Sequence, residues 1–380
     1  MSSVPRTFTA TGNHVTGQVD VGLTRLVRRL SSRPGLHHVS LAVSDADGRY
    51  RWAGGAGPDG ADEPEIRPET PFFIASITKR FIITLILQAH ERNEVDLDAP
   101  ITTYLPTSVT AGLHVRDGVD RTPAITVRHL AGHTSGLPDF FEKRRGGPSL
   151  YRQLRAGQDT SWTFEDAIAI AREQQRPHFE PQDLTAGTQR ARYSDTGFQL
   201  LIRILETVTS CTFPDLLAER ITGPLELSRT WHPRARPAEP NLPAPLPLHA
   251  RRRRVDVDGV IASSNDLFST TEDLLAFERA LVAGEPFRDA NTRHLLTERR
   301  NRLRNAPSLR YGLGTMAFGV NRLNLPRRGP VSLVGHSGST GTWLFTCPEL
   351  GLHLAGTVDQ TQARSLPFRI MTRCLQIWTR

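Results

Sequence analysis

The chain has 380 residues, 38% of them hydrophobic, enough for a substantial core in one large or two intertwined domains and too apolar for a disordered protein. Three widely spaced cysteines, Cys211, Cys347 and Cys374, suggest neither a disulfide framework nor a zinc knuckle, and the longest apolar run, FIITLIL, falls short of the ~18 residues that span a bilayer. A net charge of +8 raises the question of a nucleic acid. The clusters at Arg251–Arg254 (ARRRRV) and Arg299–Arg304 (ERRNRLRN) carry no interleaved aromatics and no helix-turn-helix, zinc-finger or RNA-binding signature, so they read as solvated surface.

In chain order, residues 1–18 form a polar leader without the apolar core of a secretory signal, and a cytoplasmic protein is expected. Leu23, Leu26, Val27 and Leu30 have the three and four spacing of an amphipathic helix, ended near Pro34 and Gly35. HHVSLAVSDADGRYRWAGG places two β-prone runs around Asp-Ala-Asp-Gly and predicts a hairpin. From Ser76 the sequence SITKRFIITLILQAHERNEVDL is apolar on nearly every side for three turns, the composition of a helix buried in the middle of a protein. Helical stretches follow at about 162–175 and 196–209. The stretch 231–248, WHPRARPAEPNLPAPLPL, is too rich in proline for helix or central strand and reads as a surface loop or lid. TTEDLLAFERALVAG is a capped helix ending at Gly284. SLVGHSG, TWLFTCPE and LHLAGTVD are β-prone, the last two joined by PELG as a hairpin, and a helix around Phe368 to Trp378 closes the chain. Strands at both ends with helices between imply one sheet drawn from both termini and an inserted helical part.

Three short motifs carry chemistry. Only two lysines, Lys79 and Lys143, stand among the 47 basic residues, and Lys79 follows Ser76 by three. An ammonium can lose its proton where a guanidinium cannot. On a helix, residues i and i+3 share a face, and burial with the N-terminal dipole disfavours the charged amine, so Lys79 reads as a base and Ser76 as its nucleophile. The rival reading is a surface cation, as for Lys143 in the polar EKRRGG. In RYSDTGFQLL, Tyr193 near a cation can relay protons, or it can be a buried tyrosine with Asp195 capping the next helix. In GHSGSTG, the glycine at 338 lets a substrate approach the backbone, and an N–H at the following residue is what an oxyanion hole requires; a satisfied polar His336 at a strand end is the alternative.

Together, in this order and spacing, these motifs resemble those of the serine β-lactamase and penicillin-binding-protein-like superfamily, nearest its class C β-lactamase, D-aminopeptidase and esterase branch. Its pattern is Ser-x-x-Lys, then Tyr-x-Asn, then Lys or His followed by x-Gly. VDLDAPITTYLP, ITVRHLAGHTSGLPDF, YSDTGFQLLIRILE, GHSGSTGTWLF and LAGTVDQ extend the resemblance over about 70–380, thinning between 230 and 310. It implies an α+β fold of the β-lactamase/transpeptidase type: an antiparallel sheet flanked by helices, built from 19–80 and 256–380, with an inserted all-α subdomain at 81–255 and the site in the crevice between them. It also implies Ser76 as the acylated nucleophile, Lys79 as its base, Tyr193 as proton relay, the N–H groups of Ser76 and Ser339 as oxyanion hole, and Asp195, His336 and Gly338 around the substrate.

Two positions depart from that pattern. Asp195 stands where the family has Asn; a carboxylate cannot donate to a substrate carbonyl and, when ionised, raises the pKa of both Lys79 and Tyr193, opposing their use as bases. Either it is turned away as a helix cap, or it joins Lys79 in a different proton economy. His336 replaces a lysine, which weakens recognition of the carboxylate shared by β-lactams and D-alanyl peptides. The resemblance implies a serine hydrolase that forms an acyl-enzyme on a small-molecule or peptide ester or amide; the proline-rich stretch and the arginines suit a bulky or carrier-linked acyl donor. An acyltransferase, transamidase or cyclase using the same residues is the alternative, and an acylated sensor without turnover is a third. No metal or organic cofactor is implied. The G-x-S-x-G, H-E-x-x-H and G-x-x-x-x-G-K signatures of competing enzyme folds are missing.

Overall fold

The turn residues Asp45 to Gly48 and the β-prone runs beside them form the hairpin they predict: strands Val39–Asp45 and Arg51–Ala56 pair antiparallel, with Gly48 at φ +69°. This computed structural model describes residues 6–8, 14–57, 66–142, 145, 147–326, 328–363 and 365–380; Lys143 and most of the expected leader lie outside the described residues. The first helix runs His14–Ser31, so residues 14–18, expected as leader, form its opening turn.

A second hairpin joins Thr342–Cys347 to Leu352–Thr357 through the turn Pro348–Leu350, with Gly351 at φ +58°. Its outer strand pairs with Val39–Asp45, Leu352 opposite Asp45 and Thr357 opposite Ser40, which fuses the two chain ends into one antiparallel sheet. The first seven of its nine strands run in the order Arg6–Phe8, Arg51–Ala56, Val39–Asp45, Leu352–Thr357, Thr342–Cys347, Val331–Ser337 and Met316–Val320. Every residue of Thr342–Cys347 and Leu352–Thr357 is buried, so these strands lack the polar alternation of a half-solvated sheet. The helices His14–Ser31 and Leu366–Trp378 supply the cover: Phe368 packs on Phe345 with ring centroids 5.9 Å apart, and a Cβ at Gly22 would lie 2.6 Å from Ile377. Gly356 sits opposite Trp343 and leaves room for its indole, which a Cβ there would approach to 2.3 Å.

The chain forms two compact units: Met1–Thr78 with Thr222–Val282 and Phe318–Arg380, and Lys79–Ile221 with Ala283–Ala317. The first holds this sheet and its helices. The second is built mainly of helices. Compared with the expected 81–255, the second unit leaves 222–255 to the first and takes in 283–317. Its helix Thr78–Glu91, which begins at the unit boundary, is buried from Thr78 to Ala89, the all-round burial its composition predicts. Asp195–Thr209 is buried from Thr196 to Ile202 and again at Ile204 and Leu205, and capping boxes start Val127–Ala131 at Thr126 and Phe164–Ala169 at Thr163. The helix predicted at 162–175 changes at Ile170 into one wider turn, Ile170–Gln174. Alongside the helices, this unit contains two short hairpins, Val115–Arg116 with Val119–Asp120 and Asn301–Arg302 with Leu309–Tyr311.

The proline-rich stretch is irregular, as its composition requires, but it is fastened to the first unit along its length. Trp231 stacks on Phe268 at 5.2 Å and exchanges both backbone hydrogen bonds with it; Glu239 accepts from Arg229 at 2.7 Å; the Leu246 N–H donates to Pro71. Among the described residues, no helix is long and apolar enough to cross a membrane.

Candidate active site

In the first unit, Ser76 lies in the short 3-10 turn Ala75–Ile77 that leads into the buried helix. Between Thr70 and Ala89 every residue is buried except Ser76, which is half-exposed. Ala75 before it holds φ +47°, a left-handed conformation that costs a residue with a Cβ about 1 kcal/mol or more. The surroundings over-determine that turn. Leu267 accepts from the Ile74 N–H at 2.9 Å and donates its own N–H to Thr78 Oγ1 at 3.0 Å. From the other side Thr342 Oγ1 donates to the Ile74 carbonyl at 3.0 Å, and Thr340 Oγ1 to that of Phe73 at 3.4 Å.

The segment carrying His336, Gly338 and Ser339 therefore runs beside Ser76. Gly338 is required there by contact: a Cβ would stand 2.2 Å from Thr342 Oγ1, 2.9 Å from the Ile74 carbonyl and 3.0 Å from the Ala75 Cβ. His336 is fully buried on the strand Val331–Ser337, and its Nδ1–H donates to the Ser337 carbonyl at 2.9 Å. Ser339 is half-exposed just past the strand end.

The second unit begins with Lys79 and holds the other group of predicted residues. Lys79 is 5% exposed, and its ammonium meets Asp195 Oδ1 at 2.5 Å. Residues 193–196 alternate half-exposed Tyr193 and Asp195 with buried Ser194 and Thr196, so an extended backbone turns the first two to one side. The Tyr193 hydroxyl donates to the same Asp195 oxygen at 3.4 Å, and Lys79 Nζ lies 5.3 Å from the ring centres of both Tyr193 and Phe198. Asp195 heads its helix without capping it, since Ser194 is the N-cap and no side-chain cap bond is made. Of the two roles open to Asp195, the structure selects the pair with Lys79, and that pair favours the ammonium rather than the free amine.

Further residues complete this group that the sequence motifs did not single out. His133, at φ +57°, packs between Tyr193 at 4.5 Å and Tyr311 at 4.4 Å, and its Nδ1 accepts from the Ser194 N–H at 3.3 Å. Burial, then the neighbouring Tyr193, drives the Tyr311 hydroxyl well above the usual phenol range, so it stays protonated. Arg80 is turned away to Thr315 Oγ1 at 2.7 Å. Asp139 is buried behind Asp195; desolvation, then the Asp195 charge, raises its carboxyl well above the usual range. His133 and Asp139 both lie in GHTSGLPDF, a stretch with family character whose individual side chains carry no spacing signal.

The family model described as Beta-lactamase matches residues 23–369. The chain is 34% identical over 116 residues to esterase EstB of Burkholderia gladioli, covering 30% of this chain and 28% of that protein. It is 24% identical over 335 residues to penicillin-binding protein 4* of Bacillus subtilis, covering 83% and 66%. The match thus spans less than two thirds of either relative's own length. Among solved structures, EstCE1, described as a hydrolase with promiscuous acyltransferase activity, superposes with a TM-score of 0.72 at 18% identity, covering 97% of this chain and all of that one. The fold is the β-lactamase/transpeptidase fold, and with its family model matched across nearly the whole sequence, the chain belongs to the beta-lactamase family.

Proposed function

We propose that this protein is a serine hydrolase that cleaves an ester or amide through an acyl-enzyme on Ser76. One observation carries the reading: the only residue accessible between Thr70 and Ala89 is a serine, set one helical turn ahead of a buried lysine. Ser76 Oγ attacks the acyl carbon while Lys79 takes its proton, and the oxyanion is received by the N–H groups of Ser76 and Ser339; one such donor is worth about 3 kcal/mol of barrier. Tyr193 passes a proton to the departing alcohol or amine and recovers it from the water that next attacks the acyl carbon, releasing the acid and restoring Ser76. His336 and Gly338 line the acyl side. Lys79 and Asp195 together carry no net charge, which supports an uncharged substrate over a carboxylate.

Exposure to p-nitrophenyl acetate, followed by intact mass and by product release, tests this. Repeated turnover with a single acetyl group trapped on Ser76, absent in Ser76→Ala, is expected. A burst that stops at one equivalent makes the protein an acylated sensor, and acetyl transfer to an added alcohol or amine in preference to water makes it an acyltransferase. Arg251, Arg252, Arg253 and Arg254 are exposed, which supports an acidic carrier as acyl donor; equal rates on free and carrier-bound thioesters whether these arginines are intact or neutralised would dispose of that donor.

A further inference from the structure

The hairpin of Asn301–Arg302 with Leu309–Tyr311 carries most of the second arginine cluster, Arg299–Arg304, which the sequence reads as solvated surface. Its inner edge is engaged elsewhere. Residues 301, 303 and 305 meet 189, 191 and 193 in one parallel register: Leu303 bridges Ala191, both buried, and the Arg304 N–H donates to the Ala191 carbonyl at 2.8 Å. On either side of that bridge an asparagine side chain stands where a neighbouring strand's backbone would. Asn301 Oδ1 accepts from the Gln189 N–H at 3.0 Å, and Asn301 Nδ2 donates to Gln189 Oε1 at 3.0 Å. Asn305 Oδ1 accepts from the Tyr193 N–H at 3.1 Å, and Asn305 Nδ2 donates to the Tyr193 carbonyl at 3.3 Å and to Glu142 Oε1 at 3.4 Å.

Tyr193 lies in extended backbone, whose successive N–H groups point to opposite edges. The Arg192 N–H donates to the His133 carbonyl at 2.9 Å and the Ser194 N–H to His133 Nδ1 at 3.3 Å, so His133 holds one edge. Asn305 holds the other, at Tyr193 itself. A segment gripped from both edges does not rock about either, and its phenol stays on the side where Asp195 and Lys79 lie. Tyr311, from the far strand of the same hairpin, backs the ring: it stands edge-on to Tyr193 at 6.0 Å and packs on His133 at 4.4 Å. Asn305 is exposed, so water replaces its bonds at little cost in stability when they are lost. What is lost is the fixed position of Tyr193.

We propose that Asn305 is a positioning residue for acylation: its side-chain amide, paired with both main-chain groups of Tyr193, fixes the phenol where it can protonate the leaving group. As the bond from the acyl carbon to the departing oxygen breaks, the phenol proton passes to that oxygen, and the transfer matters more the more basic the leaving group is. A displaced phenol therefore slows esters of basic alcohols and spares esters of acidic phenols. This inference rests on the reading of Ser76 as nucleophile and Tyr193 as proton relay.

The test compares kcat/KM for ethyl acetate and p-nitrophenyl acetate, which form the same acetyl-enzyme, in Asn305→Leu, Asn301→Ala and Tyr193→Phe. Asn305→Leu is expected to lose about a hundredfold on ethyl acetate, the effect of moving a proton donor by about 1 Å, and far less on p-nitrophenyl acetate, whose nitrophenolate departs unprotonated. Tyr193→Phe should separate the two esters in the same direction. Asn301→Ala breaks the matching pair at Gln189 and should change both rates by one factor. Equal losses on the two esters in Asn305→Leu overturn the proposal, as does the same separation of esters in Asn301→Ala. A second readout needs no turnover. In protein isotopically labelled at its five tyrosine nitrogens, the Tyr193 amide, identified by its absence in Tyr193→Phe, should exchange with deuterium about tenfold faster in Asn305→Leu. An unchanged exchange rate also overturns the proposal. If Ser76 is not acylated, or Tyr193→Phe treats both esters alike, the hydrolase reading or the relay falls, and the exchange rate still decides whether Asn305 holds Tyr193.

Discussion

Lys79 is the one lysine in the described chain, and its chemistry cannot be supplied by the arginines that replace lysine everywhere around it. Lys79→Arg keeps a cation opposite Asp195 but never yields a base. We expect a folded protein with a melting temperature close to wild type and turnover lower by about 10²- to 10⁴-fold, read by steady-state kinetics beside Ser76→Ala. Asp195→Asn should act on stability, since it strands a buried ammonium; denaturant titration at neutral pH should show a loss of about 3 kcal/mol, shrinking at alkaline pH where the amine sheds its proton. Ser76, Lys79 and Tyr193 stand out at this scale as candidates because a rare residue at a fixed spacing is visible along the chain. Asp139, His133 and Tyr311 were not, because they belong to the group only through contacts between segments 50 or more residues apart.

At the scale of elements, the 3-10 turn at Ser76 is held in a strained conformation by the segments at 267 and 338–342 rather than by its own residues. Gly338→Ala tests that dependence. Its Cβ would collide with Thr342 Oγ1 and press on Ile74 and Ala75, so the Ser76 turn must shift. Turnover is expected to fall by about a hundredfold while circular dichroism stays native, the cost of a displacement near 1 Å at a reacting atom. The hairpins at 39–56 and 342–357 and the buried helix from Thr78 could be read directly, since turn chemistry and apolar period are local. The wide turn at Ile170–Gln174 could not, because the 162–175 pattern continues through it and only packing selects the wider turn.

Across the whole molecule, buried titratable groups set how stability follows pH. His38, His232 and His353 are each lowered to about 4, chiefly by burial, so between pH 6.5 and 4 the unfolded chain binds protons that the folded one refuses. Stability should therefore fall as the pH drops through that window, by about 1.4 kcal/mol per pH unit per histidine. Asp359 is raised to about 8 by burial, with Thr357 Oγ1 donating to its Oδ1 at 2.9 Å. Its contribution has the opposite sign: complete below the ordinary carboxyl range and lost as the pH rises toward 8. Thermal melts of Asp359→Asn should match the wild type in acid and exceed it above neutrality. The sequence by itself determined the fold family and the sheet shared by both chain ends, because alternation, turn types and short spacings are properties of neighbouring residues. Only the tertiary structure decided that Asp195 faces Lys79 instead of capping a helix, that Asp139 stands behind it, and that 283–317 belongs to the helical unit. Each of these depends on which distant segments share a low-dielectric interior, where a charge must find its counterpart across space rather than along the chain.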